Sequence, residues 1–215
     1  QDRGAEAHDF GHRSAVANHL ENVRRDERHG FRMVQLQPAG AALARTPDHP
    51  AALFNLGIVL GAGGDLAGAE MCYRRLLARD PEAAEAWFAL GNMLLAQDRL
   101  ADAEGAFAKA VAKDPNLAEA HLNLGIARLA RSRPAEALPA LERAAALAPA
   151  SASAHVQLAA ALAKLHQSEQ ARRHLLEAGV LAPERLDVRW ALACELPAVY
   201  ADEAEIESRR AQFER

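Results

Sequence analysis

Five of the ten prolines in this chain of 215 residues, Pro47, Pro81, Pro115, Pro149 and Pro183, stand 34 residues apart. A fixed period of that length marks stacked supersecondary units, each too small to bury both of its faces alone. Displacing the sequence by 34 superposes Leu56, Leu90, Leu124 and Leu158, then Gly57, Gly91 and Gly125 with Ala159 in the fourth place. Ala69, Ala103, Ala137 and Ala171 superpose next. Tyr73, Phe107, Leu141 and Leu175 follow, and then Leu76, Ala110, Ala144 and Ala178.

Each repeat reads as two helices. Trp87, Leu90, Gly91 and Leu94 recur at i, i+3, i+4 and i+7 and make one apolar stripe. Leu100, Ala103, Phe107 and Ala110 make the facing stripe on the next helix. The connection at Gln97, Asp98 and Arg99 is short and polar, which favours antiparallel neighbours. Asp65 and Ser132 are natural helix N-caps at the same junction in the first and third repeats. Pro115 and its equivalents fall just past the second helix, where proline ends a helix cheaply. Gly91 lets two helices approach closely, and roughly a quarter of the chain is alanine, which serves the same end. Only 5% is aromatic. Pro139 falls inside the second helix of the third repeat and is expected to kink that helix or shorten its start.

These positions resemble the tetratricopeptide repeat. The second unit carries the pattern best, as Trp87-x-x-Leu90-Gly91-x-x-Leu94, then Ala103-x-x-x-Phe107, then Pro115. Leu94 replaces the usual Tyr. Leu53, His121 and His155 stand where Trp87 does, and Ala159 stands for the glycine. The resemblance covers about residues 50–185 as four units, 50–83, 84–117, 118–151 and 152–185. It implies an all-α fold, a right-handed α-solenoid of stacked helix-turn-helix repeats.

The ends depart from the period. Residues 1–30 are polar and hold four of the nine histidines. Residues 31–49 read as a degenerate partial repeat, with Gln35 in the alanine slot and Pro38 interrupting it. Residues 186–215 continue the register as a partial repeat and then a capping helix opened by Asp202-x-x-Glu205. The string from Arg189 and Trp190 through Leu196-Pro197, Tyr200, Ile206 and Phe213 resembles the junction between repeats and catalytic lobes in bacterial O-GlcNAc-transferase (SPINDLY-like) proteins. A generic solenoid cap explains the same string. The chain begins at Gln1, as a processed or excerpted piece would.

Enzyme motifs are mostly absent, so the chain is expected not to be an enzyme, and no cofactor is expected. Gly61-Ala62-Gly63-Gly64 lacks the Lys-Ser/Thr of a phosphate loop and reads as a helix–helix turn. No Gly-x-Ser-x-Gly occurs. His8 and His12 share a helical face but have no third ligand at a fixed spacing, so no metal site is expected. His121 and His155 read as packing and polar satisfaction at repeat seams, not as ligands, and Cys72 as a buried thiol. A net charge of −4 leaves no basic footprint for nucleic acid. No apolar run is long enough to span a membrane, and no secretion leader is visible. Two cysteines, Cys72 and Cys194, suit a reducing compartment and point to the cytoplasm.

In this family the first helices line a concave groove, and the resemblance implies the same here. Phe54, Phe88, Leu122 and Ile126 then line it, with Asn92 among them. Asn55, Ala89, Asn123 and Gln157 run alongside as an amide ladder with one rung missing. An amide both donates and accepts, so it can hold a peptide main chain without demanding a sequence. The ladder resembles the asparagine ladder of O-GlcNAc-transferase superhelices. The carboxylate clamp of chaperone-tail binders is disfavoured, because Phe54, Phe88, Ser153 and Gln157 occupy its cation slots. The expected function is a protein–protein interaction scaffold that holds an extended polypeptide. Two alternatives stand beside it. One is the substrate-recruiting arm of a protein O-glycosyltransferase whose lobes lie outside this chain. The other is an assembly adaptor using the convex face.

Overall fold

A computed structural model describes residues 49–186, 188 and 189. The expectations for residues 1–48 and for residues 190–215, including His8, His12, Cys194 and the junction string beyond Arg189, lie outside the described residues. Among the described residues there are eight helices and no strand: α1 (Pro50–Ala62), α2 (Leu66–Leu77), α3 (Ala84–Ala96), α4 (Leu100–Lys113), α5 (Ala118–Ala130), α6 (Pro134–Leu147), α7 (Ala152–Lys164) and α8 (Ser168–Leu181). Each helix packs on the next, most extensively within the pairs α1–α2, α3–α4, α5–α6 and α7–α8. First helices also touch across pairs, α3 on α5 and α5 on α7. The result is an all-α solenoid.

Side-chain size at two positions sets the spacing within a pair. A Cβ placed on Gly57 would lie 2.7 Å from Tyr73 Cζ, on Gly91 2.5 Å from Phe107 Cε1, and on Gly125 2.4 Å from Leu141. The large side chain of the second helix lies flat on the bare backbone of the first. Tyr73, Phe107 and Leu141 are thereby fully buried, as is nearly all of Leu175, which shares a core cluster with Ala159 in the fourth pair.

The turn inside each pair repeats as well. Gly64, Asp98, Ser132 and His166, each 34 residues on, take positive φ of 89°, 59°, 58° and 60°. Asp65 then caps α2 by accepting from Gly68 N at 2.9 Å. Ser132 does not cap α6. It occupies the left-handed turn position one residue early, and Arg133 is the N-cap, without a side-chain bond. Only glycine takes that conformation freely, so the other three turns carry a small strain.

Pro139 neither breaks α6 nor delays its start. The helix runs over 14 residues from Pro134, in register with α4 and α8, which are the same length. Pro134 at the first turn has φ already set for a helix. Pro139 is exposed, so the carbonyl of Ala135, left without its partner, can turn to water. Burial of Ala137, Leu141 and Ala144 holds the rest.

Two glutamates tie successive pairs together. Glu70 on α2 accepts from Arg99 Nη1 at 2.9 Å, from Gln97 Nε2 at 3.1 Å and from Arg74 Nε at 2.8 Å. Glu104, 34 residues on, accepts from Arg128 Nε at 3.0 Å and from Arg131 and Arg133. Burial alone would raise both carboxyls, but the guanidinium hydrogen bonds and charges outweigh it, and both lie below the usual carboxylate range.

Candidate functional site

The first helices α1, α3, α5 and α7 carry every residue the sequence places in the groove. Phe54 and Phe88 are half-buried, because each ring also packs on the core aromatic of its own pair. The Phe54 and Tyr73 centroids are 5.7 Å apart and edge-on, and those of Phe88 and Phe107 are 6.0 Å apart and tilted. Leu122 and Ile126 are half-buried on α5. Asn55 and Gln157 are half-buried too, and make no hydrogen bond among the described residues.

Asn92 and Asn123 are different. Both are 8% exposed, and Asn123 Nδ2 donates to Asn92 Oδ1 at 2.8 Å. This bond joins α3 to α5, so the lining residue Asn92 and the ladder rung Asn123 form one unit. Each amide still has capacity to spare: Asn92 keeps two N–H donors and Asn123 keeps its carbonyl oxygen. Arg133 Nε is the one sealed side-chain polar atom without a partner among the described residues, so neither spare amide group is sealed off. A second feature lies one pair along. Ala118, Glu119, Leu122, Ala144, Ala148, Ser151 and Ala154 line a cleft between α5, α6 and α7. Its walls are small and apolar, with Glu119 exposed at its edge.

The slot taken by Ser153 is not free of positive charge. Arg185 Nη1 donates to Ser153 Oγ at 2.8 Å, from 32 residues downstream. Sequence reading by fixed slots misses such a reach. Cys72 is buried, and burial pushes its thiol above the ordinary range, which disfavours the thiolate form.

The anchor position explains how histidine replaces tryptophan. Trp87 Nε1 donates to Pro81 O at 2.9 Å. His121 Nε2 stands 3.0 Å from Pro115 O, and His155 Nε2 stands 3.0 Å from Pro149 O. A ring N–H at the same reach satisfies the same carbonyl six residues back. In the fourth pair a further group gathers behind this anchor. His155 Nδ1 is 3.1 Å from His174 Nδ1 and 3.0 Å from Glu177 Oε2, and His174 Nδ1 is 3.2 Å from Glu177 Oε2. Sequence reasoning took His155 as packing and polar satisfaction at a seam, which the Pro149 contact fits, and did not bring His174 and Glu177 to it. The signal was available in His174-x-x-Glu177, one helical turn apart and facing the anchor slot.

A family model for the tetratricopeptide repeat matches residues 39–70 and 59–118. No curated protein matches the chain. The solved structures similar to it include YrrB, described as a TPR protein with an unusual peptide-binding site. It is 22% identical over 73% of this chain and 81% of its own, with a TM-score of 0.66. MamA from Desulfovibrio magneticus RS-1 is 22% identical over 80% of this chain and 97% of its own, at 0.65. TTC0263, a thermophilic TPR protein of Thermus thermophilus, is 21% identical over 84% and 98%, at 0.60. The fold is that of a tetratricopeptide-repeat solenoid. At these identities the likeness speaks for the fold alone.

Proposed function

We propose that the chain is a protein-interaction scaffold that holds an extended polypeptide along its first helices. The observation that carries this is the Asn92–Asn123 pair. It fixes a donor and an acceptor side by side across two repeats, and a peptide main chain offers the complementary acceptor and donor. Phe54, Phe88, Leu122 and Ile126 flank it with half-buried apolar surface, enough to exclude water around the polar grip. Asn55 and Gln157 extend the amide line toward either end, and the alanine-walled cleft takes a side chain. The unusual peptide-binding site of YrrB supports the same reading. Among the described residues no helix is long and apolar enough to cross a membrane. The buried free thiol of Cys72 fits a reducing compartment such as the cytoplasm.

The test is hydrogen exchange on the chain with a peptide selected from a random display library. Protection concentrated on α1, α3, α5 and α7 is the expected result. Protection confined to α2, α4, α6 and α8 would favour the convex-face adaptor. The junction string of the glycosyltransferase-arm reading lies beyond the described residues from Trp190 on, and its amide ladder is shared with the scaffold reading.

A further inference from the structure

We propose that the seam of the fourth pair is a binding site for a divalent transition metal, with zinc the expected ion. Its ligands are His155 Nδ1, His174 Nδ1 and Glu177 Oε2. This site is independent of the peptide groove.

The argument starts with protons. Pro149 O is an acceptor only, so the bond from His155 Nε2 at 3.0 Å puts the proton of a neutral ring on Nε2. That leaves Nδ1 with a bare lone pair. It faces a carboxylate oxygen at 3.0 Å and a second imidazole nitrogen at 3.1 Å. Three atoms that can accept thus stand within 3.2 Å of one another. With both rings neutral, His174 Nδ1 supplies at most one proton to the group. At least one contact between acceptors is then left unbridged, and either a second proton on a ring or a metal cation in the triangle resolves it.

The geometry and the donor set suit such an ion. The two ring centroids are 5.4 Å apart and the Nδ1 atoms 3.1 Å apart, so the rings converge through these nitrogens. These separations set the two nitrogens head-on, so seating a tetrahedral zinc, whose donors stand about 3.4 Å apart, takes a turn of the half-buried His174 ring as well as an opening of roughly 0.3 Å on each side. Two imidazoles and a carboxylate are a borderline set that favours zinc over calcium or magnesium. Three protein ligands leave one coordination position open. Pro149 O supplies the outer hydrogen bond that fixes the tautomer and orientation of a ligating histidine. His155 is 7% exposed and held by the core, whereas the Glu177 side chain is 55% exposed and free to adjust.

The other repeats provide the internal comparison. Where the fourth pair has His155, His174 and Glu177, the second has Trp87, Ala106 and Lys109, and the third has His121, Ala140 and Arg143. In the second pair the Lys109 ammonium sits 4.2 Å over the Trp87 ring. The first pair has Leu53, Cys72 and Arg75, so the Glu177 position carries a cation in the three other repeats, and only the fourth combines a histidine with a carboxylate.

The double substitution His174→Ala/Glu177→Arg copies the third repeat into the fourth, where the backbone already suits those residues. The probe is zinc chloride alone, titrated into the full chain by calorimetry, with cobalt absorption as a second readout. Wild type is expected to bind one equivalent tightly and to show the strong visible bands of tetrahedral cobalt. The double variant is expected to lose those bands and to weaken that binding at least tenfold, with an unchanged helical signal. Glu177→Gln, which keeps the shape, is expected to weaken zinc as well. Equal stoichiometry and affinity in wild type and double variant would overturn the site, and so would wild type with no zinc equivalent bound. Peptide affinity is measured alongside; its persistence in the double variant separates this site from the groove.

Discussion

Gly91 and Gly105 are both glycines in helices, and only one of them is required. A Cβ on Gly91 would overlap Phe107, whereas a Cβ on Gly105 meets nothing within 4 Å. Overpacking a tight core costs about 1–3 kcal/mol. Gly105→Leu on an exposed face instead gains up to about 1 kcal/mol of helix propensity. The urea midpoint is expected to fall clearly for Gly91→Leu and to hold or rise for Gly105→Leu. Equal midpoints would remove Gly91 from the contact. The sequence distinguishes these glycines because Gly57, Gly91 and Gly125 share a register and Gly105 stands outside it. It sets Asn92 in the lining row and Asn123 in the neighbouring ladder, and does not show that the two meet. Period and polarity put both amides on the first helices, but the bond between them depends on how far α3 and α5 are offset, and no local pattern encodes that.

At the scale of elements, periodicity made the helix pairs legible, and the details that escaped it have identifiable causes. Ser132 looks like a cap because serine commonly is one. The turn needs a left-handed residue there, and the 34-residue equivalents Gly64, Asp98 and His166 show that position to be structural. Pro139 looks disruptive because proline is, yet an exposed proline early in a packed helix leaves only one carbonyl to solvent. The glutamate ties between pairs need three-dimensional reach, from Glu104 on α4 to Arg128, Arg131 and Arg133 around the α5–α6 turn. Loss of hydrogen bonds to a charged group costs about 1.5–3 kcal/mol, so Glu104→Gln is expected to lower the urea midpoint at pH 7. The folded carboxyl is the one whose pKa is depressed. Its contribution is therefore present above the unfolded value, about 4.3, and is lost as pH falls through the folded value. The gap between wild type and Glu104→Gln should close across that acidic window. A gap that stays constant with pH would mean that the ionised carboxylate does not hold the pairs together.

For the whole molecule, the proposed groove of amides and apolar side chains, on a chain of net charge −4, calls for a partner recognised by shape and main chain. Asn55 and Gln157 allow the cleanest test of that claim. They make no hydrogen bond among the described residues, so their loss leaves the fold alone, unlike truncation of the Asn92–Asn123 pair, which would orphan a buried amide. The measurement is a titration of the library-selected peptide into wild type, Asn55→Ala/Gln157→Ala and the control Glu142→Ala on α6, at low and high salt. Each neutral hydrogen bond lost costs about 0.5–1.5 kcal/mol, so the double variant is expected to bind roughly five- to a hundred-fold more weakly. Glu142→Ala is expected to bind as wild type does, and salt to matter little, since exposed charge is what salt screens. Unchanged affinity in a folded Asn55→Ala/Gln157→Ala, or affinity that collapses with salt, would contradict a groove that grips its partner through amides.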